Sequence, residues 1–139
     1  MLEILIAEDE PTSAMLLIHM FEPLGRCAVV TDGKKAVSLV DVCMAEGTPF
    51  DLICLDIKMP TLDGWDVLRR IREIEQDRGV PAEKQVKVMM TTSRPRGQDD
   101  LDSDLESLYQ GYLPKPYDLD QLAEMLKEMG IEDAQRVLR

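Results

Sequence analysis

Short apolar runs rich in Ile, Val and Leu alternate along this chain with longer stretches whose apolar positions recur every three or four residues. The runs are Leu2 to Ala7, Cys27 to Val30, Leu52 to Leu55, Val86 to Thr91 and Gly111 to Pro114. Four to six residues is strand length, and a run that is apolar throughout is covered on both faces. The alternation therefore predicts βαβ units, a parallel sheet with helices on either side. The helical stripes are Ala14, Met15, Ile18 and Phe21, then Ala36, Val37, Val40 and Met44, then Val67, Leu68, Ile71 and Ile74. A further helix is expected over Gln98 to Tyr109, using Leu101, Leu105 and Leu108, and a last one carries Leu119, Leu122, Met125 and Leu126. Pro11 suits a first helical turn, Pro23 with Gly25 and Gly47 with Pro49 stop helices, Asp118 caps the last helix and Gly130 ends it. The charged stretch from Glu73 to Lys84 reads as a solvated connection. Leu52 to Leu55 is expected at the centre of the sheet. Gly111 to Pro114 is expected at an edge, because Pro114 cannot donate to a ladder.

Size and charge narrow the function classes. The 139 residues fit one domain, expected over 1–130, with 131–139 as a helical extension or tail and no separate effector domain. A net charge of −11, from 27 acidic and 16 basic residues, argues against nucleic acid or an anionic membrane as partner and favours a protein with a basic patch. Cys27, Cys43 and Cys54 are odd in number and lack metal-type spacing, so neither a disulfide framework nor a zinc site is expected. With no signal peptide and no long apolar span, the expected location is the cytoplasm.

The candidate chemistry sits where strands end. Glu8 and Asp9 follow the first run and Asp56 follows the third. If those runs are neighbouring parallel strands, three carboxylates share the crevice at the carboxyl edge of the sheet, where such sheets bind ligands. Clustered carboxylates repel, and a hard divalent cation with oxygen ligands relieves that repulsion, which suggests an Mg²⁺-assisted phosphoryl site.

The loop Asp56-Ile57-Lys58-Met59-Pro60-Thr61-Leu62-Asp63-Gly64, together with Glu8-Asp9, Thr92 after strand four and Lys115-Pro116 after strand five, resembles the receiver domain of bacterial response regulators, of the single-domain chemotaxis-regulator type. The resemblance implies a doubly wound five-stranded parallel α/β sheet of order 2-1-3-4-5. It implies that Asp56 accepts a phosphoryl group from a phosphohistidine of a sensor histidine kinase or histidine phosphotransfer protein. Glu8, Asp9, Asp56 and the backbone carbonyl of Lys58 would hold Mg²⁺, with Glu8 standing where the family more often has aspartate and binding directly or through water. Lys115 and the Thr92 hydroxyl would contact phosphoryl oxygens. Thr91 is the alternative to Thr92, although register prefers Thr92. The Lys115-Pro116 bond is expected to be cis.

The resemblance further implies that Thr92 and Tyr112 are the switch pair: as Thr92 moves toward the phosphoryl group, the ring on strand five would turn inward and reshape the surface read by a downstream protein target. Lys58 and Arg94 are expected to overhang the phosphoryl group, and Ser93 replaces a smaller alanine. Gln110 and Gly111 stand where receivers fused to winged-helix domains carry an acidic pair, which weakens any inference of their symmetric dimer. A phosphorylation-independent interaction module is the alternative. A phosphatase of the haloacid dehalogenase type would need an aspartate where Lys58 stands, and a flavodoxin-type carrier would need a hydroxyl-rich loop where Glu8, Asp9 and Glu10 stand. The reading is thus a phosphoacceptor signalling protein, not an enzyme acting on a separate substrate.

Overall fold

A computed structural model describes residues 1–93 and 105–131. Five parallel strands form one sheet: β1 (Leu2–Ala7), β2 (Gly25–Val30), β3 (Leu52–Asp56), β4 (Lys87–Thr92) and β5 (Gly111–Pro114), in the order β2-β1-β3-β4-β5. The chain reverses its direction of winding between β1 and β3, so a crevice opens at their carboxyl ends. Leu52 to Leu55 is central and the Pro114 strand is an edge, as the sequence pattern requires.

Alternation along the strands divides the core into two layers. On one face Leu5, Ile53, Leu55, Val88, Met90 and Tyr112 pack under α2 (Gly33–Ala45) and α3 (Gly64–Asp77). On the other Ile4, Ile6, Cys54, Met89 and Leu113 pack under α1 (Pro11–Phe21) and α4 (Leu119–Glu128). Glu10, Asp32, Asp63 and Asp118 cap the four helices by accepting from first-turn amides, and Asp118 with Gln121 completes a capping box. Gly130, at φ 88°, ends α4, whose last carbonyls accept from Gly130 N and Ile131 N. Among the described residues, no helix is long and apolar enough to cross a membrane.

Several boundaries differ from the apolar pattern. β2 begins two residues early, at Gly25, because pairing with Leu2 and Glu3 extends the ladder through a glycine and an arginine, which carry no apolar signal. A Cβ at Gly25 would lie 2.0 Å from Leu2 O, so that approach needs glycine. β4 is shifted by one residue, since Val86 N donates to the Glu75 carboxylate while Thr92 joins the sheet opposite Pro114. In α1 the buried stripe is Ala14, Leu17 and Phe21; Met15, expected inside, is 65% exposed, and Ile18 is only half-buried. The segment from Glu73 is not a solvated connection throughout: α3 continues to Asp77, and Glu75 is 1% exposed. A paired charge at an inward helical position is invisible to a reading that counts only apolar residues. Of the expected Gln98 to Tyr109 helix, 98–104 lie outside the described residues, and Leu105 to Leu108 form a turn with Leu105 buried.

Candidate functional site

Because β1 and β3 are adjacent and in register, Ala7 opposite Leu55, the residues that follow them meet. Carboxylate oxygens of Glu8, Asp9 and Asp56 all lie within 4.8 Å of one another. Glu8 and Asp56 are buried, the latter 7% exposed, and Asp9 is open to solvent. Three hard oxygen donors with one water-facing member fit a small divalent cation that keeps part of its hydration shell.

The loop after β3 is fixed from several sides. Ile57 N donates to Thr91 O at 2.9 Å, and Gly64 N donates back to Ile57 O at 2.7 Å. A Cβ at Gly64 would stand 2.5 Å from Asp56 O and 2.7 Å from the Ile57 Cα, so glycine lets α3 start directly against the acid-bearing strand end. The loop is also tied to α2. Gly33 N donates to Pro60 O at 3.0 Å, while the Thr61 hydroxyl accepts from Lys34 N at 3.0 Å and donates to Asp32 Oδ1 at 3.2 Å. Thr61 takes a left-handed φ of 68°, an uncommon conformation for a β-branched residue that these bonds hold in place. Asp32 Oδ1 also accepts from Lys35 N at 2.8 Å, so one carboxylate both caps α2 and braces this loop.

Lys115 enters from β5. Its amide donates to Thr92 O at 2.7 Å, and the Lys115-Pro116 bond is cis, as expected. Its ammonium bonds Glu8 Oε1 and stands 3.3 Å from Asp56 Oδ2, while Lys58 N donates to Asp56 Oδ1 at 3.2 Å. Burial, then the hydrogen bond and charge of Glu8, push the Asp56 carboxyl up to about 7; Lys115 and the Lys58 amide offset only part of this. Burial pulls the Lys115 ammonium down, but Glu8 and Asp56 together outweigh it and hold it above its usual range. Among the described residues, two buried carboxylates thus share one cation, Lys115.

Thr92 is buried at the end of β4, two residues beyond Met90 and so on the face shared by Met90 and Tyr112. The Tyr112 ring is 8% exposed, already inside. Tyr109 lies 6.1 Å from it and 5.8 Å from Trp65, centroid to centroid, an aromatic row the sequence did not reveal. Thr91, the alternative to Thr92, pairs with Asp56 in the ladder, and its buried hydroxyl has no partner among the described residues. The side chains of Lys58 and Ser93 are exposed, His19 is exposed on α1, and Arg94 lies outside the described residues.

The sequence family described as response regulator receiver domain matches residues 4–127. FilR2 of Methanothrix harundinacea is 32% identical over 130 residues, 91% of this chain and 79% of that protein. TcrA, a transcriptional regulatory protein of Mycobacterium tuberculosis, is 33% identical over 128 residues, but the chain spans only 45% of its length. Among solved structures, the receiver domain of the sensor histidine kinase PA1611 from Pseudomonas aeruginosa, with magnesium coordinated in its active-site cleft, superposes with a TM-score of 0.70. The match has 28% identity and covers 93% of this chain and 98% of that one. TrrA of Thermotoga maritima, in complex with magnesium and beryllofluoride, also gives 0.70, with 25% identity over 93% and 99% of the two chains.

Proposed function

This chain belongs to the response regulator receiver family, and we propose that Asp56 is its phosphoacceptor, served by Lys115 and Thr92, with Mg²⁺ held by Glu8, Asp9, Asp56 and the Lys58 carbonyl. The observation that carries this reading is the Lys115 ammonium lying across Glu8 and Asp56 with Asp9 beside them. The magnesium in the PA1611 receiver and the magnesium and beryllofluoride in TrrA support the same assignment here.

In the transfer, an Asp56 carboxylate oxygen attacks phosphorus and the bond to the donor imidazole nitrogen breaks, its electron pair leaving with that nitrogen. Asp56 must be ionised to attack, and a carboxyl near 7 is only partly so in the metal-free pocket at neutral pH. Bound Mg²⁺ supplies the missing positive charge, favouring the ionised acceptor and neutralising charge on the transferred group. Lys115 can release Asp56 Oδ2 and donate to a phosphoryl oxygen, remaining beside Glu8 as counter-charge. The Thr92 hydroxyl donates to another oxygen, and because Thr92 and Tyr112 share a face of neighbouring strands, that motion is felt at the ring.

A family member of this kind takes its phosphoryl group from a histidine kinase or phosphotransfer protein. The donor has to reach Asp56 across the rim of the crevice. There Ser13 and Leu16 of α1 border a cavity of about 180 Å³ with Lys115, Pro116 and Tyr117. Met15 and Leu16 expose apolar surface beside it, which suits a protein rather than a small-molecule donor. The test is transfer from such a partner to the native chain and to Asp56→Asn. Label on the native protein alone supports the assignment, and equal label on both would place the acceptor elsewhere.

A further inference from the structure

Away from the acids, a buried ion pair joins α3 to the two strands that form the switch. The Arg72 guanidinium makes three hydrogen bonds: Nη1 to Glu75 Oε1 at 2.6 Å, Nε to Leu108 O at 2.9 Å, and Nη2 to Gln110 Oε1 at 3.1 Å. Each partner has a second attachment. Glu75 Oε2 accepts from Val86 N at 2.7 Å, just before β4. Gln110 Oε1 also accepts from Val88 N at 2.8 Å, and Gln110 N donates to Val88 O at 2.9 Å, just before β5. One arginine therefore ties a helix to the entry of both strands. Its fork suits the task, since a lysine ammonium cannot reach a carboxylate, a carbonyl and an amide at fixed angles.

The segment that Arg72 holds, Leu108 to Gln110, carries Tyr109, the middle ring of the row from Trp65 to Tyr112. The polar ends Trp65 Nε1 and Tyr109 OH are buried without a hydrogen-bond partner among the described residues. The row is thus located by packing and by the backbone beneath it, and that backbone is fixed by Arg72. A buried charge pair is weak evidence for stability but suits a specifying role. Gln110, which stands where winged-helix relatives carry an acid, here has a definite job as the acceptor joining Arg72 to β4.

We propose that Arg72 is a positioning residue of the switch. Acting through Glu75 and Gln110, it holds Tyr109 and Tyr112 in the inward packing, so occupation of Asp56 is coupled to the output surface through this strut. The proposal rests on the Asp56 reading for its trigger, while the strut itself can be tested without any phosphoryl group. In the inward state the strut is intact, so breaking it removes the bias toward the state that the phosphoryl group selects, and coupling is reciprocal.

The experiment uses the whole chain as wild type, Arg72→Leu, Gln110→Leu and Gln110→Glu, with Arg69→Leu as an exposed control on the same helix. Gln110→Leu leaves the Arg72–Glu75 pair in place, so it reports even if Arg72→Leu fails to fold. Gln110→Glu keeps the acceptor and should behave as wild type. Without ligand, amides of Val88 and Gln110 to Leu113 should exchange about tenfold faster or more in both leucine variants, and that of Val86 in Arg72→Leu alone, with β1 and β2 unaffected. With Mg²⁺ and beryllofluoride, both should still form the complex, with affinity weakened by about fivefold or more and a smaller change in Trp65 emission on binding. A merely structural role predicts lower thermal stability with affinity and emission change as in wild type, and that result overturns the proposal. Unchanged exchange overturns it as well. If the wild type forms no complex, the Asp56 reading fails and with it the coupling, whereas the exchange result still judges the strut.

Discussion

Replacing Asp56 with asparagine should stabilise the metal-free protein above neutral pH. Burial and Glu8 raise the Asp56 carboxyl from its ordinary 3.8 to about 7. A folded-state value above the unfolded one means the native chain holds its proton longer. Stability should therefore fall as pH rises from about 4 to about 7, with the whole cost present beyond that. At 1.36 kcal/mol per pH unit the rise corresponds to about 4 kcal/mol. Water at the open side of the crevice, next to exposed Asp9, screens much of this, leaving about 1–2 kcal/mol. For a domain of this size that is a shift of roughly 3–8 °C in Tm. Urea or thermal unfolding in chelator at pH 8 should show the asparagine variant as the more stable, with the gap closing toward pH 4. Excess Mg²⁺ should reverse the order, since only the native site gains, by about 2.7 kcal/mol at a hundred times Kd. A variant equally or less stable than wild type at pH 8 without metal would refute the claim that the carboxylates are frustrated there.

Three other changes probe separate parts of the account. Gly64→Ala drives a methyl into the Asp56 and Ile57 backbone and should cost about 1–3 kcal/mol in urea unfolding, besides slowing phosphorylation. Lys115→Ala removes the cation between Glu8 and Asp56, so labelling by a small phosphodonor should slow by about a hundredfold or more; a rate near wild type would show that the ammonium does not contact the transferred group. Leu16→Glu should impair transfer from a partner protein yet leave labelling by the small donor intact, and equal loss in both assays would mean that α1 acts on the pocket rather than on docking.

The strand runs were legible because central parallel strands are apolar throughout, and the order of the sheet followed from the resemblance to the receiver family. The acids were legible because Glu8, Asp9 and Asp56 each follow such a run. What escaped the pattern was whatever polar groups organise. Glu75 is buried by pairing with Arg72 and the Val86 amide, information spread over residues 72, 75 and 86 that no local periodicity contains. The inward stripe of α1 was not legible because Met15, Leu17 and Ile18 are all apolar, and only packing against β1 and β2 selects Leu17. The brace from Asp32 through Thr61 is a contact between residues 29 apart, which a capping signal hints at but does not locate. The row from Trp65 to Tyr112 likewise needs the fold before its members meet.

The central claim is that Asp56 becomes phosphorylated with Mg²⁺ as partner, and its most direct measurement is site-resolved mass spectrometry after incubation with a small phosphodonor. One added phosphoryl group is expected, located on Asp56, present with Mg²⁺, absent with chelator and absent from Asp56→Asn. Phosphoryl incorporation that persists in chelator or in the asparagine variant, or no incorporation in a folded native protein with Mg²⁺, would contradict it.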